Sequence, residues 1–215
     1  MKDRYPANPN TAKQPAVVGL RGGSAVLMVA AFEYFLSRLF QEEINKINTT
    51  PVSIDFEKLP EKLRVKSVYH SLNRAMDGPL FQEKPPKVDR IVEIVAACKL
   101  IIGDQVNPDA FSETGSNPNG DTVKNKFREV GIQDIFGRIK PEFENKWGSP
   151  VAHDFIKGKL DSIVRTRHVV AHTADALNIS RSSQNEALKF LKVLAELLEK
   201  ELIEHIKNVR KTAKK

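Results

Sequence analysis

From Leu188 to Val209 the apolar residues Leu188, Leu191, Leu194, Ala195, Leu198, Leu202, Ile206 and Val209 recur at intervals of mostly three and four. That interval keeps them on one side of an α-helix, and a helix of about six turns with one apolar side is stable only when that side lies against other elements. The spacing predicts a C-terminal helix to about Arg210 and requires further structure to cover it. The stretch Gly22 to Ile47, with Val26, Leu27, Val29, Ala30, Tyr34, Phe35, Leu39, Phe40 and Ile44, reads as a second such helix. Glu33 and Arg38 interrupt it before the roughly 18 apolar residues of a membrane span accumulate. A buried amphipathic helix is expected there, and no membrane partner.

Between these two, the pattern is again helical. Leu63, Val65, Val68, Tyr69, Leu72 and Met76 predict a helix over Pro60 to Met76, and Val88, Ile91, Val92, Ile94, Val95, Leu100 and Ile101 predict one over Lys87 to Ile102. Gly78, Pro79, Pro85 and Pro86 punctuate the chain between them. Residues 103 to 120 read as a polar loop, followed from Asp121 by short helical pieces around Phe127, Ile132, Ile135 and Phe136. A further helix is expected from Pro150 to His172, then a break, then a capping box of Ser183 and Glu186 opening the last helix. With no convincing strand, the expected fold class is all-α, with a long C-terminal helix and a short-helix insert.

At 215 residues the chain can bury a sizeable core without metal or disulfide, and its one cysteine excludes an intrachain disulfide framework and fits a reducing, cytoplasmic setting. The net charge is +7, of which the first 23 residues carry +3 and the last nine +5, leaving −1 for the body. Charge alone therefore makes no case for a polyanion partner; local clustering must. Residues 1–21, rich in Pro, Asn and Lys, read as an extended arm without a signal-peptide pattern. Residues 22–206 read as a single domain, and 207–215 as a basic tail suited to the negative end of a helix dipole.

Several catalytic signatures are missing: no phosphate-binding P-loop, no dinucleotide-binding glycine motif, no nucleophile elbow, no H-E-x-x-H. Cys98, inside an apolar helical run, reads as a small core residue. Trp147 reads as a packing residue, and His70, His153 and His205 as isolated surface or satisfied groups.

The segment Leu160-Asp-Ser-Ile-Val-Arg-Thr-Arg-His-Val-Val-Ala-His172 is different. At about 100° per residue Leu160, Ile163, Val164, Ala171 and Ala174 share a stripe, with Arg167 at its centre. A guanidinium on a side meant for burial requires an anion, a pocket or an interface. His168 and His172 flank the stripe at i and i+4, with Arg165 beside them and Lys157 and Lys159 upstream. His172 can exchange protons near neutral pH, as phosphodiester cleavage by a neighbouring 2'-hydroxyl requires, and Arg167 can clamp a phosphate and stabilise its transition state without a metal. Two other readings stand beside this one. Arg167 can be the partner of a carboxylate in the same domain, and the two histidines can hold a metal with Asp154 or Asp175.

Arg167-His168-Val169-Val170-Ala171-His172 resembles the R-x4-6-H signature of the HEPN superfamily, which Arg165 would also satisfy with six intervening residues. The surrounding order is similar to the RiboL-PSP-HEPN and MAE-type branches: an N-terminal helix, an Asn117-Pro118-Asn119 loop, the motif helix, a break and a long last helix. The resemblance spans roughly residues 22 to 205. It implies a HEPN-like helical bundle paired through its motif helices, and a metal-independent endoribonuclease of toxin-antitoxin, phage-defence or RNA-processing systems, without cofactor. It further implies His172 as general acid/base, Arg167 as phosphate and transition-state stabiliser, and His168 in a supporting polar position usually held by Asn. RNA contacts would fall to Arg165, Lys157 and Lys159, and a cognate antitoxin or defence-system protein would be a partner. The alternative within the same resemblance is an inactive HEPN module that binds RNA, a nucleotide or a protein.

Overall fold

In the computed structural model, residues 14–49, 54–77, 86–112, 117–173 and 179–214 are described, and their regular structure is helical. The helices are α1 (Gln14–Asn48), α2 (Glu61–Asp77), α3 (Lys87–Ile102), α4 (Gly120–Glu129), α5 (Ile135–Trp147), α6 (Phe155–Thr173) and α7 (Arg181–Thr212). Short 3-10 turns form at Phe56–Lys58 and Pro108–Phe111. Among the described residues the only β pairing is an isolated bridge between Ile54 and Lys214. The all-α class and the long C-terminal helix follow the apolar periodicity directly.

The chain divides into two compact units. The first holds residues up to Phe35, Ser116–Val123 and Phe136–Leu197. Its core includes an aromatic cluster in which Phe143 stacks on Trp147 with ring centres 5.7 Å apart, and Phe155 and Phe190 close around both. Lys189 sets its ammonium over the Trp147 ring at 4.5 Å, so Trp147 is the packing residue that the sequence suggests. The second unit holds Leu36–Gly115, Lys124–Ile135 and Leu198–Lys215. There Phe40 meets Phe127 edge to face at 5.0 Å, and the buried Lys126 lies over the Phe40 ring and donates to the Phe111 carbonyl at 2.7 Å. Leu202, Ile206 and Val209 carry the buried stripe of α7 through this unit.

Several expectations are corrected. The N-terminal arm is expected to extend to residue 21, yet α1 starts at Gln14: Pro15 sits in the first turn, where its missing N–H costs nothing, and Val17 is buried. Residues 1–13 lie outside the described residues. The 103–120 loop is not merely polar, since Val106, Ala110 and Phe111 are buried and Asn107 caps the Pro108–Phe111 turn. The insert also contains a full helix, α5, rather than only short pieces. Lys207, Arg210 and Lys211 belong to α7, and Ala213 beyond them is buried, so this stretch is no free tail. Cys98 is exposed, not in the core. α1 is long and apolar enough to cross a membrane by length and composition. Its most apolar 18-residue stretch is 28% buried, and the buried positions Leu36, Leu39, Phe40, Ile44 and Ile47, which follow the period of a core helix, lie in its second half.

Candidate active site

α6 is built in two halves. Ile156, Leu160, Ile163 and Val164 form its buried face, spaced as i, i+4, i+7 and i+8. Beyond Val164 the burial stops. Arg165, Thr166, His168, Val169, Ala171, His172 and Thr173 are exposed, and Val170 alone packs inward, against a small cluster of Ala25 and Ile179. The apolar stripe expected to continue through Ala171 therefore ends in the open; Ala174 and Asp175 lie outside the described residues.

Arg167 is half-buried at this transition, and its Nη1 donates to the side-chain oxygen of Asn117 at 2.8 Å. Its Nε is buried with no hydrogen-bond partner, and no carboxylate pairs with it among the described residues. Asn117 can do this because the loop that carries it is pinned to α6. Pro118 is buried, Asn119 caps α4 by accepting from the Thr122 N–H at 2.8 Å, and the Gly120 N–H donates to Asp161 of α6 at 2.7 Å. Lys157 ties the same corner, reaching Asp121 at 3.2 Å and Asp161 at 3.4 Å. The hydrogen bond to Asp121 and then the charge of Asp161 hold the Lys157 ammonium above the ordinary lysine range. A Cβ at Gly120 would overlap the Lys157 side chain, so the loop's approach to α6 depends on glycine there.

His168 and His172 stand together on the exposed face, ring centres 4.3 Å apart and tilted by 51°. Arg167 lies about 140° around the helix from His172 and about 7.5 Å along it, so one chain does not aim both at one point. Arg165 is exposed at the same end of α6. Lys157 and Lys159 are not brought to it: they lie roughly 20 Å along the axis from His172, and Lys159 is paired with Glu186 at 2.6 Å. Asp154 precedes α6, about 20 Å from His168, beside His153, and cannot complete a metal site with the two motif histidines. No group of three His, Cys, Asp or Glu side chains among the described residues is arranged around a common point. Sequence reasoning missed Asn117 as the partner of Arg167, and Asp161 as the anchor of its loop. The Asn-Pro-Asn-Gly turn was the available signal.

An all-helical fold with a long last helix is consistent with a HEPN-type domain, a class of nucleases and related modules. The family model for RiboL-PSP-HEPN matches residues 3–204. The chain belongs to the RiboL-PSP-HEPN family. No curated protein and no solved structure matches it.

Proposed function

We propose that the chain is a metal-independent endoribonuclease that cleaves RNA in the cytoplasm, in a cleft formed where the α6 helices of two copies meet. The observation that carries this reading is the state of Arg167: half-buried, held by a neutral amide and leaving Nε unpartnered, next to two exposed imidazoles. An arginine that serves only its own fold is expected on a carboxylate; one without a carboxylate among the described residues suits a site that receives an anion. Pairing through α6 is supported by the uncovered face around Val169, which is 43% exposed. It is also supported by the 140° divergence, which a two-fold axis resolves by supplying each site with groups from both copies.

In the proposed reaction Arg167 holds the non-bridging oxygens of a phosphodiester by charge-assisted hydrogen bonds. His172 of one copy takes the proton of the ribose 2'-hydroxyl as that oxygen attacks phosphorus. The bond to the 5'-oxygen breaks, and protonated His172 of the second copy gives its proton to the departing oxygen. The products are a 2',3'-cyclic phosphate and a 5'-hydroxyl end. Arg167 stabilises the added negative charge of the pentavalent state, and His168, against the His172 ring, keeps that imidazole in place. Arg165 contacts a neighbouring phosphate; Lys157 and Lys159 contribute only by leaving Asp121, Asp161 and Glu186. The biological setting of this reading is a toxin or phage-defence nuclease restrained by a cognate antitoxin or defence-system partner.

Cleavage of mixed structured and single-stranded RNA in excess EDTA, by wild type, Arg167→Ala and His172→Ala at matched folding, tests it. Cleavage that disappears in both variants supports the assignment. RNA that is bound and released uncut by all three replaces it with a non-catalytic binding module.

A further inference from the structure

α3 is apolar on more sides than the described residues of its own chain cover. In the second unit it packs along α2, with Ile94, Leu100 and Ile101 half-buried. A different set, Val88, Ile91, Val92, Val95, Cys98 and Ile102, stands in water, with Val88 74%, Val92 67% and Ile102 83% exposed. Val88, Val95 and Ile102 are seven residues apart, as are Ile91 and Cys98, and the two series interleave at three and four. That is the a and d pattern of a coiled-coil seam, with Val88, Val95 and Ile102 at a and Ile91 and Cys98 at d. On α2 Val65, Tyr69 and Leu72 repeat the step and are also exposed, whereas the buried side of α2 carries Ser67 and Ser71, whose hydroxyls accept from Asn107. Asp89, Arg90, Glu93 and Lys99 keep α3 from being apolar all round, but its apolar arc is wider than the described residues cover.

We propose that the exposed α2–α3 face is an interface between two copies of this chain, with α3 of each copy forming the seam. At roughly 150 Å² per side chain, the six residues of α3 leave on the order of 500 Å² of apolar surface in water, and Val65, Tyr69 and Leu72 of α2 raise the total towards the about 800 Å² that each partner brings to a stable interface. A second copy is the occupant that the repeat fits, because a stripe of uniform heptad spacing meets its own two-fold image residue for residue. None of these residues belongs to α6, so the interface is distinct from the pairing proposed for the motif helices. A chain with two self-complementary faces assembles beyond the dimer, into a closed tetramer or an open array.

Light scattering on the full chain, alone and as Val95→Glu and Ile91→Asp at matched circular dichroism, tests the interface, with maleimide labelling of Cys98 as a reporter within the seam. Both variants are expected to lose at least half of the wild-type mass. Cys98, slow to label in the wild type, is expected to label in them at the rate of a free thiol. Arg167→Ala is expected to leave both readouts as in the wild type, which separates this interface from the nuclease reading. Equal mass and equally fast labelling in wild type and variants overturn the proposal. Binding to phosphatidylcholine/phosphatidylserine vesicles that the variants lose, without any change of mass, overturns it in favour of a membrane surface.

Discussion

The guanidinium of Arg167 is held by the amide oxygen of Asn117, fifty positions upstream, at 2.8 Å. Arg167→Ala is therefore expected to cost about 1 kcal/mol of stability, the worth of one hydrogen bond, rather than the about 3–5 kcal/mol of a broken buried ion pair. Urea denaturation distinguishes the two. Asn117→Asp is the sharper variant: it turns the contact into an ion pair, so it is expected to melt no lower than wild type yet cleave RNA less well than Asn117→Ala, because its carboxylate claims the charge that phosphate needs.

His168 and His172 lie against each other on the exposed face of α6. His172→Ala is expected to abolish cleavage while changing stability by no more than about 0.5 kcal/mol, as for other exposed positions. His168→Asn retains a polar side chain and is expected to keep most of the activity. Single-turnover cleavage in EDTA, alongside thermal melting, reads both.

Long apolar stripes were the legible part of this chain. α3 spans Lys87–Ile102, the bounds its apolar residues imply, and α2 and α7 differ from theirs by a residue or two at most ends. Pro141, tolerated on an exposed face of α5, hides that helix because proline reads as a break. The start of α1 was hidden similarly, by a proline that the first turn accommodates. In the site, Arg167 and the histidines are visible because they sit on an apolar-patterned helix, whereas the contact to Asn117 joins residues that no periodicity connects. Exposure was illegible too: the same pattern that buries Leu194 leaves Val88 and Cys98 in water, since a sequence records which residues are apolar but not whether the chain has enough partners to cover them.

The cap of α7 lies three residues earlier than the Ser183 and Glu186 pattern suggests. Ser183 N–H donates to Ser180 Oγ at 3.0 Å and Ser180 N–H donates to Ser183 Oγ at 3.1 Å, while Glu186 turns to Lys159. Ser180→Ala is expected to cost about 1 kcal/mol, and Glu186→Ala well under that, as for a surface ion pair. Chemical denaturation of the two variants checks the order.

Acid and alkali are expected to act on different groups of the first unit. The Val151 N–H, and after it Lys140, hold the Glu144 carboxyl below the ordinary carboxylate range. A depressed acid stabilises the fold above its unfolded pKa and loses that contribution as pH falls through the folded one, so Glu144→Gln should flatten the acid limb of melting temperature against pH. Lys157, raised by Asp121 and Asp161, has the reverse sign. Its contribution is complete below the ordinary lysine range and disappears as pH climbs past the raised value, so Lys157→Met should flatten the alkaline limb.

Trp147 is the single tryptophan of the chain, and it sits wholly among the aromatic rings of one unit. Its fluorescence is thus a native, label-free gauge of that unit alone, whereas far-ultraviolet dichroism sums every helix. Melting curves that coincide by the two signals mean that the molecule unfolds as one cooperative body. Curves that separate assign each midpoint to its unit, and give every substitution a location as well as a magnitude.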